Sequence, residues 1–220
     1  VAGGLAPRVF GGRLIGQVVI DLEDVATWPM LRLAEQLVTG VPDPPGQLTL
    51  IAESVAEEVA FGPANLGLER DEIEERVSAA LRLTGIEDLA DRDPVRLSGG
   101  QQQLVVLAGL LAMRPRHLVL DEPVAHLDSA STRLVLEAIR AAADAGAAIL
   151  LAEQRTAELA TVADSVAVMG AGNIIARGDA AEGLSDPGNL ALGVAEPPEI
   201  ALRRMLAEAG LDPALVEARP

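Results

Sequence analysis

Cysteine is absent from the 220-residue chain. That removes disulfide staples, thiol nucleophiles and Cys-ligated metal, and it fits a reducing compartment. Aromatic residues are almost as scarce, with two Phe, one Trp and no Tyr. The core must therefore be built from Ala, Val, Leu and Ile, and an aromatic stacking platform for single-stranded nucleic acid is disfavoured. Positive charge is also short: 17 Lys+Arg face 33 Asp+Glu, for a formal net charge of −16. General nucleic-acid binding needs a basic footprint, and adhesion to anionic lipid needs a polybasic patch, so no nucleic-acid partner is expected. Long apolar runs are missing as well. The longest, residues 104–113, is about half of the ~20 residues that a membrane-spanning helix requires. No signal-peptide pattern opens the chain.

What is present is a folding composition, 50% hydrophobic and 23% charged, with enough length for one large domain or a core with a small satellite. Gly3, Gly4, Gly11, Gly12 and Gly16 break up the first stretch. Residues 17–22 read as a strand, 31–38 have helical spacing, and three prolines mark 41–47 as a loop. Residues 52–61 read as a short helix stopped by Gly62 and Pro63. Residues 69–84 form a clearer helix, with Ile73, Val77, Ala80, Leu81 and Thr84 on one face, a solvated acidic face opposite, and Gly85 as the stop. After a loop at 91–97, Ser98 opens a long helix to Met113 whose apolar stretch 104–111 reads as core. Residues 118–120 and 147–152 read as buried parallel strands, separated by a helix at 129–145 with Ser129 as its N-cap. A helix at 156–163 precedes strands at 165–169 and 173–177 around a turn at 170–172. The tail is broken at Gly183, Pro187 and Gly188 before a helix at 198–209. Strands alternating with helices indicate a parallel α/β sheet. The acidic stretch 53–84, which has no strand, reads as a separate helical subdomain.

Two segments carry chemistry. The first is Leu97-Ser98-Gly99-Gly100-Gln101. Two glycines after a serine at a helix start leave N–H groups open at the positive end of the helix dipole, an anion site that also fits a plain N-cap with a flexible loop. The second is Leu118-Val119-Leu120-Asp121-Glu122-Pro123. A buried strand ends there in two carboxylates. One can hold Mg²⁺ through water and the next can orient or deprotonate a water that attacks phosphorus, although a lone Asp-Glu-Pro is more simply a solvated strand end.

The order of these pieces is more specific than either alone. Leu127-Asp128 follows Glu122, then a helix, a strand and Glu153-Gln154. This set resembles the nucleotide-binding domain of ATP-binding-cassette (ABC) transporters, over nearly the whole chain. Ser98–Gln101 matches the signature, Asp121 and Glu122 the Walker B pair, and Leu127-Asp128 the D-loop. Gln154 falls at the switch position, and Gly172 and Gly178 lie in the terminal strand-turn segment. Glu57-Glu58-Val59-Ala60-Phe61-Gly62-Pro63-Ala64-Asn65-Leu66-Gly67-Leu68 looks like the helical subdomain of cobalt-type and energy-coupling-factor (ECF) importer ATPases, and the tail around 192–210 is similar to theirs.

The resemblance implies a P-loop NTPase (RecA-like) α/β fold: a parallel sheet flanked by helices, with an inserted helical subdomain. Residues 1–50 are expected to form the N-terminal part of the core up to the Q-loop region. Residues 51–113 carry the helical subdomain and signature helix, 114–178 the rest of the core, and 179–220 a tail with a helix. It further implies ATP and Mg²⁺ as cofactors and a second ABC ATPase domain, identical or paralogous, packed head to tail. A transmembrane coupling subunit would dock on the helical subdomain, at the cytoplasmic face of a membrane. Glu122 is then the general base, Asp121 supports Mg²⁺, and Ser98, Gly99, Gly100 and Gln101 bind the partner's γ-phosphate. Asp128 couples the two sites and Gln154 contacts phosphate. The expected function is uptake of a vitamin or metal ion driven by ATP hydrolysis.

Three departures complicate that picture. The phosphate loop Gly-x-x-x-x-Gly-Lys-[Ser/Thr] is absent, and by the resemblance Val1–Pro7 corresponds to the segment just after it, so the N-terminal strand and P-loop are expected to be missing. Pro42 takes the place of the Q-loop glutamine, while Gln47 matches a different position. Gln154 replaces the switch histidine and cannot carry its proton or charge. These changes support an alternative, a non-hydrolytic partner that lends its signature in trans; the retained Asp121-Glu122 speaks against it. A DNA-repair or translation protein of the superfamily is disfavoured by the missing coiled-coil insertion and the −16 charge. His117 is expected at a strand edge, His126 at a dimer interface or plain surface, and Trp28 and Met30 in local packing.

Overall fold

The computed structural model describes residues 13–125 and 127–213. The glycines at 3, 4, 11 and 12, the segment 1–7 and His126 lie outside the described residues. The chain divides into two compact units, which meet between Ala152 and Glu153.

The first unit runs β1 (Val19–Ile20), β2 (Glu23–Asp24), α1 (Met30–Gln36), β3 (Leu37–Gly40), α2 (Pro44–Gln47), α3 (Val55–Asn65), α4 (Arg70–Thr84), α5 (Gly99–Ala112), β4 (His117–Asp121), α6 (Ser129–Asp144) and β5 (Ala148–Ala152). β3, β4 and β5 form a parallel sheet in that order, with Leu37 opposite His117 and Asp121 opposite Ala152. The apolar run of β4 is that of a parallel strand covered by helices, with Leu118 and Leu120 buried. Leu118 and Leu120 of β4 and Leu104–Ala108 of α5 join Val135, Ala138 and Ile139 of α6 in one core, to which α3 and α4 contribute Val55, Val59, Val77, Ala80 and Leu81. The 104–111 stretch is therefore core. With helices packed on a parallel sheet, the fold is α/β as expected.

Several local expectations need correction. Residues 17–22 are not one strand. β1 and β2 form a hairpin whose turn residues Asp21 and Leu22 both have positive φ, 49° and 68°, as a two-residue loop matched to strand twist demands. The helix expected at 31–38 ends at Gln36, because Leu37–Gly40 pairs along β4 and becomes a strand; pairing outweighs the helical spacing. Three prolines do not keep 41–47 irregular, since α2 makes one turn with proline at its first position. Gly62 and Pro63 do not stop α3. Pro63 is buried inside the helix, and a Cβ on Gly62 would sit 2.9 Å from the Met113 side chain, so glycine is what lets α3 approach α5. The N-cap of α6 is Asp128, not Ser129. β5 is not fully buried: it alternates half-buried and exposed positions, with Leu150 63% exposed, because only the face of Ile149 and Leu151 packs on the core.

Other expectations hold. Val77, Ala80, Leu81 and Thr84 are the buried face of α4, Ile73 packs against it, and Gly85 caps it at φ 66°. The opposite face is solvated and ion-paired, as in Arg70–Glu74 and Arg114–Glu75. Trp28 packs with Val25, Leu33 and Leu37 in a small second cluster; Glu23 accepts from its indole at 3.1 Å and Arg32 stacks on its ring. Met30, expected in the same local packing, is instead 46% exposed and lies outside that cluster.

Arg76 joins α4 to the end of α5 by donating to the Met113 carbonyl at 3.1 Å while paired with Glu72 at 2.6 Å. Arg76→Ala leaves that carbonyl without its charged donor. It is expected to cost about 1–3 kcal/mol, read as a lower urea midpoint with unchanged slope.

The second unit holds α7 (Thr156–Val162), β6 (Ser165–Gly170), β7 (Asn173–Asp179), α8 (Ala180–Ser185), α9 (Pro187–Ala191) and α10 (Pro198–Glu208). β6 and β7 are an antiparallel pair around the expected turn. The tail is more helical than its Gly and Pro suggest, because Asp179 and Asp186 cap α8 and α9. Among the described residues no helix is long and apolar enough to cross a membrane.

Candidate functional site

Ser98 caps α5 with a full capping box. Its Oγ accepts from the Gln101 backbone at 3.4 Å, and Gln101 Oε1 accepts from the Ser98 N–H at 3.0 Å. A helix leaves its first N–H groups without an intrahelical carbonyl, and those of Gly99 and Gly100 belong to this set. Nothing lies within 4 Å of where a Gly99 Cβ would be. Gly100 is the opposite case: its Cβ would meet Ser131 Oγ at 2.9 Å and Leu127 Cδ2 at 3.7 Å. Glycine at 99 leaves an open approach, and glycine at 100 allows close packing.

That packing brings the signature segment against the first turn of α6. Asp128 Oδ1 accepts from the Ser131 N–H at 2.7 Å. The Ser131 backbone N–H, and then its hydroxyl, hold the Asp128 carboxyl below the usual carboxylate range. Ser131 thus touches both Asp128 and the space at Gly100, a role the sequence did not reveal.

Asp121 ends β4, exposed, opposite Ala152. Glu122 follows at φ 46°, in the left-handed region that non-glycine residues rarely adopt. Its N–H donates to the Ala152 carbonyl at 2.8 Å, and its carbonyl accepts from Ala125 at 3.0 Å. The two carboxylates therefore stand on a pinned backbone at the C-terminal end of the sheet, where open α/β sheets bind ligands. His117 is at the other end of β4, 3.3 Å from Asp21; it opens the central strand, paired with Leu37 and Ala148 on either side, so it does not lie at an edge as expected.

Gln154 begins the second unit with Glu153, whose Oε1 accepts its N–H at 2.8 Å. Pro42 is exposed just past β3. Gln47 bridges the loop beside it: its Oε1 accepts from Val41 at 2.7 Å and its Nε2 donates to Thr39 at 3.3 Å. Glu58, 8% exposed, accepts from both the N–H and the hydroxyl of Thr49 at 2.7 Å. Its signal in the sequence was an acid on the helical stripe of Val55 and Val59.

Among the described residues no three His, Asp or Glu side chains gather to hold a metal by themselves. Mg²⁺ bound with a nucleotide needs only one or two carboxylates, because phosphate oxygens and water complete its shell. Asp121 fits that requirement.

A parallel sheet flanked by helices, whose central strand runs into the adjacent acids Asp121 and Glu122, is the architecture of a P-loop NTPase fold. Residues 15–125 match the ABC transporter family, and the chain belongs to it. It is similar to the cobalt import ATP-binding protein CbiO of Rhodobacter capsulatus, 43% identical over 158 residues, 70% of this chain and 56% of that protein. It is also similar to the energy-coupling factor transporter ATP-binding protein EcfA2 of Caldanaerobacter subterraneus, 39% identical over 165 residues, 74% of this chain and 58% of that protein. The solved structure of CbiO1 from Clostridium perfringens, described as part of the ABC transporter complex CbiONQ, superposes with a TM-score of 0.71 at 30% identity, covering 90% of this chain and 77% of that one. The chain spans about three fifths of the length of the curated relatives it matches.

Proposed function

We propose that this chain is the ATP-binding subunit of an importer of the cobalt or ECF type, coupling ATP hydrolysis to uptake of a vitamin or metal ion. The observation that carries the reading is the pair Asp121-Glu122 at the C-terminal end of β4, in one chain with the capped signature helix. The names of the relatives support the transport class.

On this reading Glu122 takes the proton from the attacking water, and its pinned backbone fixes where the carboxylate starts. Asp121 would hold Mg²⁺, which would supply neutralisation of phosphate charge. Ser98 and the N–H groups of Gly99 and Gly100 meet the γ-phosphate of a nucleotide held by a second ATPase domain, with Gln101 locking the turn and Asp128 linking that contact to α6. Gln154 donates its neutral amide N–H to phosphate and cannot take up a proton or charge there. Residues 51–113 carry closure to a transmembrane subunit at the cytoplasmic face, 1–50 and 114–178 make the core, and 179–220 the tail. The sequence has no Gly-x-x-x-x-Gly-Lys-[Ser/Thr] and no lysine at all.

Phosphate release by the assembled transporter tests the role of Glu122. Glu122→Gln is expected to lower it by about 10²–10⁴-fold. Unchanged release overturns Glu122 as the base and leaves the chain as a signature donor.

A further inference from the structure

The loop after β3 is tied at both ends, and the ties continue to the signature. Gln47 clasps the end of β3 through Thr39 and Val41. Leu48 is buried in the core next to it. Thr49 is then held by both oxygens of Glu58. Leu50 follows at φ 61°, a strained conformation for a bulky residue. Glu58 lies in α3, whose first turn is fixed elsewhere: the N–H groups of Val55 and Ala56 donate to the carbonyls of Arg92 and Ala90, each at 2.9 Å. Two residues further on, the Pro94 carbonyl accepts from the side chain of buried Gln102 at 3.1 Å. Gln102 stands one position after Gln101 in the capping box of Ser98. An unbroken run of hydrogen bonds and short chain segments thus leads from β3 to the start of α5.

We propose that Glu58 is a positioning residue that holds the 41–49 loop and the signature end of α5 as one body. Both carboxylate oxygens are spent on one residue of that loop, and the group is buried, so neither water nor a neighbour replaces the contact cheaply. In the transporter assembly, which rests on the reading above, this makes the position of Ser98 depend on the residues around Pro42. A displacement of the 41–49 loop would reach the signature through α3, in addition to the direct contact of Gly40 with Leu110 of α5.

Amide hydrogen exchange on the full chain without nucleotide tests this independently of any ATPase activity. In Glu58→Ala the amides of Thr49, Val55 and Gln101 are expected to exchange at least about tenfold faster, while those of Val119 and Leu150 in the sheet do not change. Glu58→Gln should restore slow exchange, because its amide can accept from the Thr49 N–H and donate to the hydroxyl. Faster exchange at Thr49 alone overturns the proposal and leaves Glu58 a local clamp. If Glu58→Ala loosens the sheet as well, Thr49→Val decides: it removes only the hydroxyl contact and should speed Gln101 by about threefold, and no change at Gln101 overturns the proposal. Unchanged ATP turnover in Glu58→Ala, with these exchange patterns present, would count against the transporter reading and not against the clamp.

Discussion

Ser98→Arg will lower ATP turnover by about 10²-fold or more when this chain is paired with a competent ATPase, the size seen when a donor to developing phosphate or oxyanion charge is removed. The argument has two parts. Ser98 caps α5 through its Oγ, and arginine has no acceptor to replace it, so the helix end frays at a cost of about 1 kcal/mol. The larger effect is steric: Gly99 lies beside open space, and a long side chain at 98 fills the approach to its N–H. Ser98→Asn retains an N-cap acceptor without that bulk, and should keep stability while losing less turnover. Phosphate release in the mixed assembly, measured beside a thermal melt of each variant, separates the two effects. Unchanged turnover in Ser98→Arg would remove the trans contact from the account.

Leu120→Ala will lower the melting temperature by about 5–20 °C, from a loss of about 2–5 kcal/mol. Leu120 is among the most buried side chains and belongs to the central strand. Its Cδ2 lies 2.8 Å from where Gly40 would carry a Cβ, with Leu110 at 3.2 Å from the same point. Truncation opens a void between β3, β4 and α5, and glycine at 40 offers nothing to fill it. The next residue is Asp121, so the void adjoins the end of β4 that carries the carboxylates. Circular dichroism melts check the size, and a shift below about 2 °C would mean that the sheet collapses onto the gap.

Much of this was legible because the period and the cap agree with the packing. Ser98 reads as the N-cap that opens α5, and the structure confirms it with a full capping box to Gln101. Ile73, Val77, Ala80, Leu81 and Thr84 declare their face by helical period, and Gly85 its stop. The misses have physical causes. Leu37–Gly40 is four residues long and follows a helix directly, so only its pairing with His117–Leu120 reveals a strand. Adjacent Asp128 and Ser129 are both good N-caps, so the sequence favours neither clearly, and only the bond to Ser131 chooses Asp128. Gly62-Pro63 reads as a stop, yet the close fit to Met113 favours the continued helix. Glu58 was one acid among several, and its burial depends on Thr49, nine positions earlier in a different element.

Trp28 gives the chain a single optical reporter. Its ring is 3% exposed in the cluster of Val25, Leu33 and Leu37, apart from the main core, with Arg32 4.3 Å from the ring centre and Glu23 on its nitrogen. With no tyrosine and only two phenylalanines, nearly all ultraviolet emission comes from that one indole. Emission therefore follows the β1–β2 hairpin and the start of α1, while backbone dichroism follows the helices around the larger core. Where the two signals fall at different temperatures, the interval between them measures how far the hairpin end loosens before the remainder of the unit melts.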